Sequence, residues 1–232
     1  LNLNKMSNQG LKYNVDIVFC IDVTGSMGGI LDTVKANALK FYPDLQKALE
    51  EKDKNVENLR IKVVAYRDFY CDGDNALKHS DFIDMKSNGE VFNSFISNLE
   101  PDGGGDEPEN GLEALALAIN SDWTKDGDRQ RHIIVVYSDA STHPLEKNAG
   151  SKPSNYPQDM PKDFNELTDW WEGQSHMPNN SAKRLVLFAP DSNSWRDIAT
   201  HWNTTIHHPS KASNGLSEVD YGTILSAIVN SI

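Results

Sequence analysis

The sequence predicts an α/β fold: a doubly wound, mainly parallel six-stranded sheet with one short antiparallel edge strand and helices on both faces. Three observations predict it. Apolar runs of strand length alternate with segments of helical spacing along almost the whole chain. Two of those runs end beside acidic residues: 15–21 leads straight into Asp22, and 132–137 into Ser138-Asp139. One step between strands is too short to hold a helix, so that pair must run antiparallel.

The elements follow in order, with boundaries that pattern alone fixes only to a few residues. Residues 1–13 are polar and read as an extension outside the fold, with Leu1 to Lys5 taken as vector-derived because they precede Met6-Ser7. A single domain then spans 14–232. The first strand covers 14–22 and is rich in β-branched residues. Ile30, Leu31, Val34, Ala38 and Phe41 mark a helix over 26–50, in which Pro43 predicts a kink or break. Residues 59–68 read as the second strand. Cys71-Asp72-Gly73-Asp74-Asn75 is a turn by composition, lacking the further ligands of a calcium loop. Phe82 to Met85 is the short antiparallel strand. Val91, Phe92, Phe95, Ile96 and Leu99 mark a short helix, and 112–119 is apolar nearly all round, as suits a helix buried against a sheet. Strands follow at 132–137, 183–189 and 204–207, with helices around Phe164 to Trp171, Trp195 to Trp202 and Tyr221 to Ile232. The stretch 141–161 is a long loop of the kind that is usually functional.

Composition excludes several classes. The 232 residues carry a formal net charge of −12, which opposes general nucleic-acid binding and docking on an anionic membrane. A cation or a basic surface is the natural counterpart. Two cysteines, Cys20 in the first strand and Cys71 in a polar loop, make neither a disulfide framework nor a zinc site. No run is long enough for a membrane helix and no secretory signal is visible, so a cytoplasmic location is expected.

The chain is organised around Asp22-Val23-Thr24-Gly25-Ser26-Met27, between the first strand and the first helix. The alternate spacing of Asp22, Thr24 and Ser26 can aim three hard oxygens at one point, as Mg²⁺ or Mn²⁺ requires. The same residues are ordinary helix caps. In a doubly wound sheet, ligands bind at the carboxyl ends of the strands near the point where strand order reverses. Asp139 ends a second strand there, and Asp106 lies in the loop 101–110, whose three glycines allow close backbone approach. These three loops can share one rim.

Asp22-x-Thr24-x-Ser26, then Gly103-Gly104-Gly105-Asp106, then Asp139 after an apolar strand, resembles the von Willebrand factor A domain with its metal-ion-dependent adhesion site. The resemblance covers about 14–232 and implies a Rossmann-like fold with one Mg²⁺, Mn²⁺ or Ca²⁺. It implies Asp22, Thr24, Ser26, Asp106 and Asp139 as the metal set, the hydroxyls in direct contact and the two aspartates Asp22 and Asp139 through water. Asp106 departs from the commoner Thr, which resembles the bacterial and alpha-kinase-associated branch and weakens the case for adhesion through an acidic partner residue. Glu109 is the alternative should the loop register differ. His143, beside Asp139, reads as a loop residue, a ligand or a proton acceptor. Arg67 reads as a partner of a site carboxylate or of a surface group. Of Trp170 and Trp171, one ring should be partly exposed, since neighbours on a helix point apart.

The expected function is a metal-dependent protein-binding module, not an enzyme. By the resemblance it is an intracellular adaptor or regulatory component whose partner is another protein, engaged through an Asp or Glu on the metal. An ATPase, a kinase or a phosphatase is the expected kind of partner. A haloacid-dehalogenase-type phosphatase would need a second Asp where Thr24 stands. A serine hydrolase on Ser26 and His143 lacks Gly-x-Ser-x-Gly, and no phosphate-binding GxxxxGK[ST] occurs. A metal-free scaffold remains the third alternative.

Overall fold

The first strand is the centre of the sheet because it can be buried on both faces. In the computed structural model, which describes residues 12–105, 107–145, 154, 156–173, 175–177 and 179–232, strand β1 (Lys12–Asp22) is buried at every position after Lys12. It pairs in parallel with β2 (Asn55–Tyr66) on one side and with β5 (Arg129–Tyr137) on the other. Strands β6 (Lys183–Pro190) and β7 (Thr205–Ser210) extend the sheet in parallel. At the opposite edge, β3 (Leu77–His79) and β4 (Ile83–Asp84) both pair antiparallel with β2. The order is β3-β2-β1-β5-β6-β7, with β4 also on β2, which makes seven strands. The expected antiparallel edge strand is β4. The strand absent from the six expected is β3, whose Leu-Lys-His has no room for an alternating pattern.

Side chains along β1 divide the core in two. Val15, Ile17, Phe19 and Ile21 face a layer holding α1 (Gly28–Glu50), α3 (Gly89–Ser97) and α7 (Tyr221–Ser231). Val18 and Cys20 face the layer holding α4 (Gly111–Ile119), α5 (Phe164–Glu172) and α6 (Asn193–His201). The period of two in the strand thus feeds helices on both faces. A short helix α2 (Phe69–Asp72) sits at the end of β2. Trp171, Trp195 and Trp202 are core residues. Trp170 is half-buried and stacks on His176 with centroids 4.1 Å apart.

Helix α1 runs unbroken through Pro43, against the expected break. Ala38 and Phe41 before the proline, and Leu45 and Leu49 after it, are all buried in one core, so packing holds both halves on one line. The carbonyl that loses its donor is that of Leu39, which is 78% exposed.

Because β2, β1, β5 and β6 are parallel, their carboxyl ends share one rim. The chain leaves β1 toward β2 in one direction and reaches β5 on the other side, so the strand order reverses at β1 and β5. Asp22 and Asp139 stand at that reversal. Among the described residues, no helix is long and apolar enough to cross a membrane.

His132, at the opposite end of β5, gives a test of how tightly the sheet is closed. Its Nε2 bonds the Thr124 carbonyl (2.9 Å), its ring lies against Trp123, and its Nδ1 is buried without a partner among the described residues. Burial holds its pKa below the ordinary imidazole value, against the opposing pull of the Thr124 carbonyl. The unfolded chain therefore takes up this proton first as pH falls. Stability should drop as pH falls through about 6.5, toward the lower folded value. Urea unfolding at about pH 7.5 and about pH 5.5 should show a smaller acid loss in His132→Gln than in the parent. An equal loss in both would place the acid sensitivity elsewhere.

Candidate metal centre

Strand β1 ends in a carboxylate that never reaches solvent. Asp22 is fully buried. Its Oδ1 accepts from the Thr24 amide (3.0 Å) and the Thr24 hydroxyl (2.6 Å), and its Oδ2 accepts from the Ser138 hydroxyl (3.0 Å). The capping alternative is not what the geometry shows. A 3₁₀ turn, Gly25–Met27, precedes α1, and no side chain at the cap position of either element bonds a free amide. Thr24 is buried and turned toward Asp22, while Ser26 stands exposed at the mouth.

Ser26 reaches the second loop. Its hydroxyl donates to Asp139 Oδ1 (2.9 Å). Asp139 is buried, its Oδ2 accepts from the Gly215 amide (2.7 Å), and its carbonyl accepts from the Ser213 amide (2.7 Å). The loop after β7 thus closes one side of the rim.

The glycine loop closes another side. Gly103 accepts from the Gly25 amide (3.4 Å), and the Asp102 amide donates to Val23 (3.1 Å). Gly104 has φ +91°, and a Cβ there would lie 2.6 Å from Thr24 Cγ2 and 2.8 Å from Glu109 Oε1. Only glycine lets the loop pass between them. The Gly104 amide donates to Asp72 Oδ2 (3.0 Å), which also accepts from Asp68 N (3.2 Å). Asp106 lies outside the described residues. Glu109 lies within them, 4% exposed. Its amide donates to Ser141 (2.9 Å) and its carbonyl accepts from His143 N (2.8 Å), which fixes the loop beside Asp139. Among the described residues, its Oε2 is buried with no hydrogen-bond partner.

The electrostatics are one-sided. Burial first, then the charges of Asp22, Asp68, Asp72 and Asp139, push the Glu109 carboxyl up to about 9. Asp22 is pushed up to about 6 by burial, with Asp139 adding to it and the Thr24 and Ser138 bonds opposing it. Arg67 does not relieve this crowding, contrary to one expectation. It is buried and donates to the carbonyls of Val23 (3.2 Å) and Glu100 (2.8 Å), so it braces the backbone beneath the site. His143 faces Asp68, with Nε2 3.4 Å from Oδ2, and packs edge-on to Tyr70. Among the described residues, no three His, Cys, Asp or Glu side chains are placed to hold a metal by themselves. The oxygens joined by hydrogen bonds are mixed: the Thr24 and Ser26 hydroxyls and the carboxylates of Asp22 and Asp139, while Glu109 Oε1 borders Gly104 as Thr24 does. Such a set fits a hard cation, and the unpartnered Glu109 oxygen among repelling carboxylates is the kind of defect a cation relieves.

Four of the five residues expected at the metal come together: Asp22, Thr24, Ser26 and Asp139. Ser138, Asp72 and the Gly215 amide are part of the same framework and were not singled out by motif. Ser138 was legible only as the neighbour of Asp139. Asp72 lay in a stretch that reads as a turn, and Gly215 meets Asp139 only through the fold.

A doubly wound sheet with an oxygen-lined rim at its strand reversal defines a class, the open α/β domains that bind a ligand at their carboxyl edge. The family follows from sequence. A profile of the von Willebrand factor type A domain matches residues 17–141, and the chain belongs to that family. It is similar to an alpha-protein kinase, vwkA, of Dictyostelium discoideum, at 27% identity over 143 residues. That match covers 62% of this chain and 21% of the kinase, so the chain spans about a fifth of the relative's length. Among solved structures it resembles the pilus adhesin SpaC of Lactobacillus rhamnosus GG, with TM-score 0.54 and 13% identity over 96% of this chain and 30% of that one. It also resembles the vWF domain of the type V pili tip protein Mfa5 of Porphyromonas gingivalis, with TM-score 0.51 and 16% identity over 94% and 96% of the two chains. At these identities the structures support the fold.

Gly104 tests the loop packing. Gly104→Ala places a methyl against Thr24 at a positive φ and should lower stability by more than about 1 kcal/mol in urea unfolding. Gly29→Ala, on an open face of α1 with nothing within 4 Å, should instead gain roughly 0.5–1 kcal/mol. Equal effects at the two sites would contradict the close approach.

Proposed function

We propose that this domain binds a partner protein through a divalent cation at the sheet rim, and that it does so without catalysing a reaction. The family is a protein-interaction and adhesion module. The observation that carries the metal is the rim itself, where the Thr24 and Ser26 hydroxyls meet the carboxylates of Asp22 and Asp139, and where Glu109, beside the same glycine as Thr24, keeps a buried oxygen with no partner among the described residues. Asp22, Thr24, Ser26 and Asp139 would hold the ion, with Asp106 included by its place after the glycines. Mg²⁺ is the first choice for this all-oxygen set, with Mn²⁺ or Ca²⁺ as substitutes. When bound, the cation supplies a positive centre with a coordination position open to an oxygen of the partner. The protein's own contribution is rigidity. The Ser138–Asp22, Ser26–Asp139 and Gly215–Asp139 bonds hold the donors on strand ends before any partner arrives.

A hydrolytic reading has less support. Thr24 stands where a dehalogenase-type phosphatase needs its acid-base Asp, and its hydroxyl is bound to Asp22. Ser26 bonds Asp139 while the His143 ring faces Asp68, so serine and histidine do not form a relay. An intracellular adaptor role, beside an ATPase, kinase or phosphatase, is the form of the proposal that the similarity to the kinase favours.

Thermal unfolding tests the metal. With EDTA and then with Mg²⁺, Mn²⁺ or Ca²⁺ at 100 times its dissociation constant, the parent should gain roughly 2.7 kcal/mol, and Asp22→Ala should gain none. No response of the parent to any cation, with bound metal excluded by elemental analysis, would remove the metal from the account.

A further inference from the structure

We propose that the end of the sheet opposite the rim carries a second docking site, a row of arginines that takes an extended acidic segment of a partner protein. This site shares no residue with the rim and stands whether or not the rim holds a cation.

Strand register places the row. Arg129 pairs with Tyr13, Arg131 with Val15, and Arg184 with Ile133. Tyr13, Val15 and Ile133 all face the layer of α1 and α7. The three arginines therefore stand on that same face, at the amino ends of β5 and β6. Two lysines just past α1 join them. Lys54 Nζ donates to the Val229 carbonyl (3.3 Å), Lys52 Nζ to Asn230 Oδ1, and Arg131 Nε to the Ile232 carbonyl (2.9 Å), all at the end of α7.

These bonds all go to neutral oxygens. Among the described residues, none of the five cations forms an ion pair. Glu57 is held by Lys12, and Glu50, Glu51 and Asp53 beside the lysines make no ion pair with them. Burial, then the charges of Lys52, Arg131 and Arg184, hold Lys54 below the ordinary lysine value. Burial and Arg184 act on Arg131 in the same direction, with Tyr13 opposing and Arg129 adding to them. A chain of net charge −12 thus gathers mutually repelling cations at one end. The acidic rim does not cancel them. The 11 residues of β1 separate the two ends by about 35 Å, several times the roughly 8 Å over which charges act at physiological salt.

Capping of α7 accounts for Lys52, Lys54 and one edge of Arg131. It does not account for Arg129, which is exposed, or for Arg184, whose Nη1 donates to the carbonyls of Ser181 (3.0 Å) and Lys183 (2.6 Å). Arg131 is also held, by the Gln130 carbonyl (2.9 Å) and by the Tyr13 ring 5.3 Å away. Guanidinium groups fixed in advance lose little side-chain freedom when an anion arrives. Their spacing selects the anion. Two residues along a strand span about 6.6 Å, and the diagonal from Arg131 to Arg184 about 8 Å. Alternate residues of an extended peptide repeat at nearly the same distance, so Asp or Glu at every second position meets the row in step. Groups tied to separate carbonyls do not gather around one phosphate. The net charge opposes a long nucleic acid or an anionic membrane.

Fluorescence anisotropy with a labelled peptide of alternating Glu and Ser tests the site, in EDTA so that the rim takes no part. The parent should bind it, more weakly as salt is added. Affinity should fall about tenfold or more in Arg129→Gln/Arg184→Gln. It should stay within about twofold in Lys78→Gln, which removes a charge at β3, and in Asp22→Ala at the rim. Should the double variant fail to fold, Arg129→Gln alone, on an exposed side chain, should still weaken binding several-fold. No binding by the parent would overturn the proposal, as would an equal loss in Lys78→Gln or a loss in Asp22→Ala. A double variant that melts lower but binds as the parent does would make the arginines structural and overturn it too. Displacement of the peptide by tripolyphosphate at lower concentration than by unlabelled peptide would replace the acidic segment with a phosphate ligand. Sedimentation of the protein alone should show one mass at all concentrations. A mass that rises with concentration in the parent, and not in the double variant, would make a second copy the occupant and overturn the partner segment.

Discussion

Of two neighbouring parallel strands, β1 ends in a buried carboxylate, Asp22, and β5 is followed two residues on by another, Asp139, and the rest of the rim is arranged to make that tolerable. Charged groups do not stay buried unless something compensates them. Asp22 is compensated by three donors from Thr24 and Ser138, and Asp139 by Ser26 and the Gly215 amide. These donors come from three connections of the fold. The first loop, the β5 loop and the loop after β7 are therefore pinned to one another by the carboxylates they surround. Glu109 borders the same glycine as Thr24, and among the described residues its Oε2 gains no donor.

The glycine loop follows from the same constraint. To carry an acidic residue between the first loop and the β5 loop, the backbone must pass within contact of Thr24, and a side chain at Gly104 would collide with it. Asp72 holds that loop from behind through the Gly104 amide, and Arg67 holds the floor through the carbonyls of Val23 and Glu100. Charged residues near the rim thus divide between those that line it and those that brace backbone. Arg67 belongs to the second kind although it ends a strand on the same edge.

Much of this was legible in the sequence because it is local. Strand ends at Asp22 and Asp139, the helix-free step to β4, the buried helix over 112–119 and the first-loop spacing all sit in short continuous stretches. What was not legible depends on distant contacts. Strand β3 is three residues long and exists because β2 offers it an edge. Pro43 reads as a breaker, yet packing on both sides of it carries α1 through. Gly215 donates to Asp139 from 76 residues further along the chain, which no spacing rule encodes. The glycine loop could be placed, but not which of its acids turns inward. Asp106 lies outside the described residues, and Glu109 is the one seen against Thr24.

The central claim is that these loops form one cation site. Crystals grown with Mn²⁺, with data collected at the manganese edge, test it most directly. The account predicts a single anomalous peak at the rim, bounded by Thr24, Ser26 and Asp139. No peak there, or a peak at another part of the surface with the Ser26–Asp139 and Thr24–Asp22 bonds intact, would contradict it.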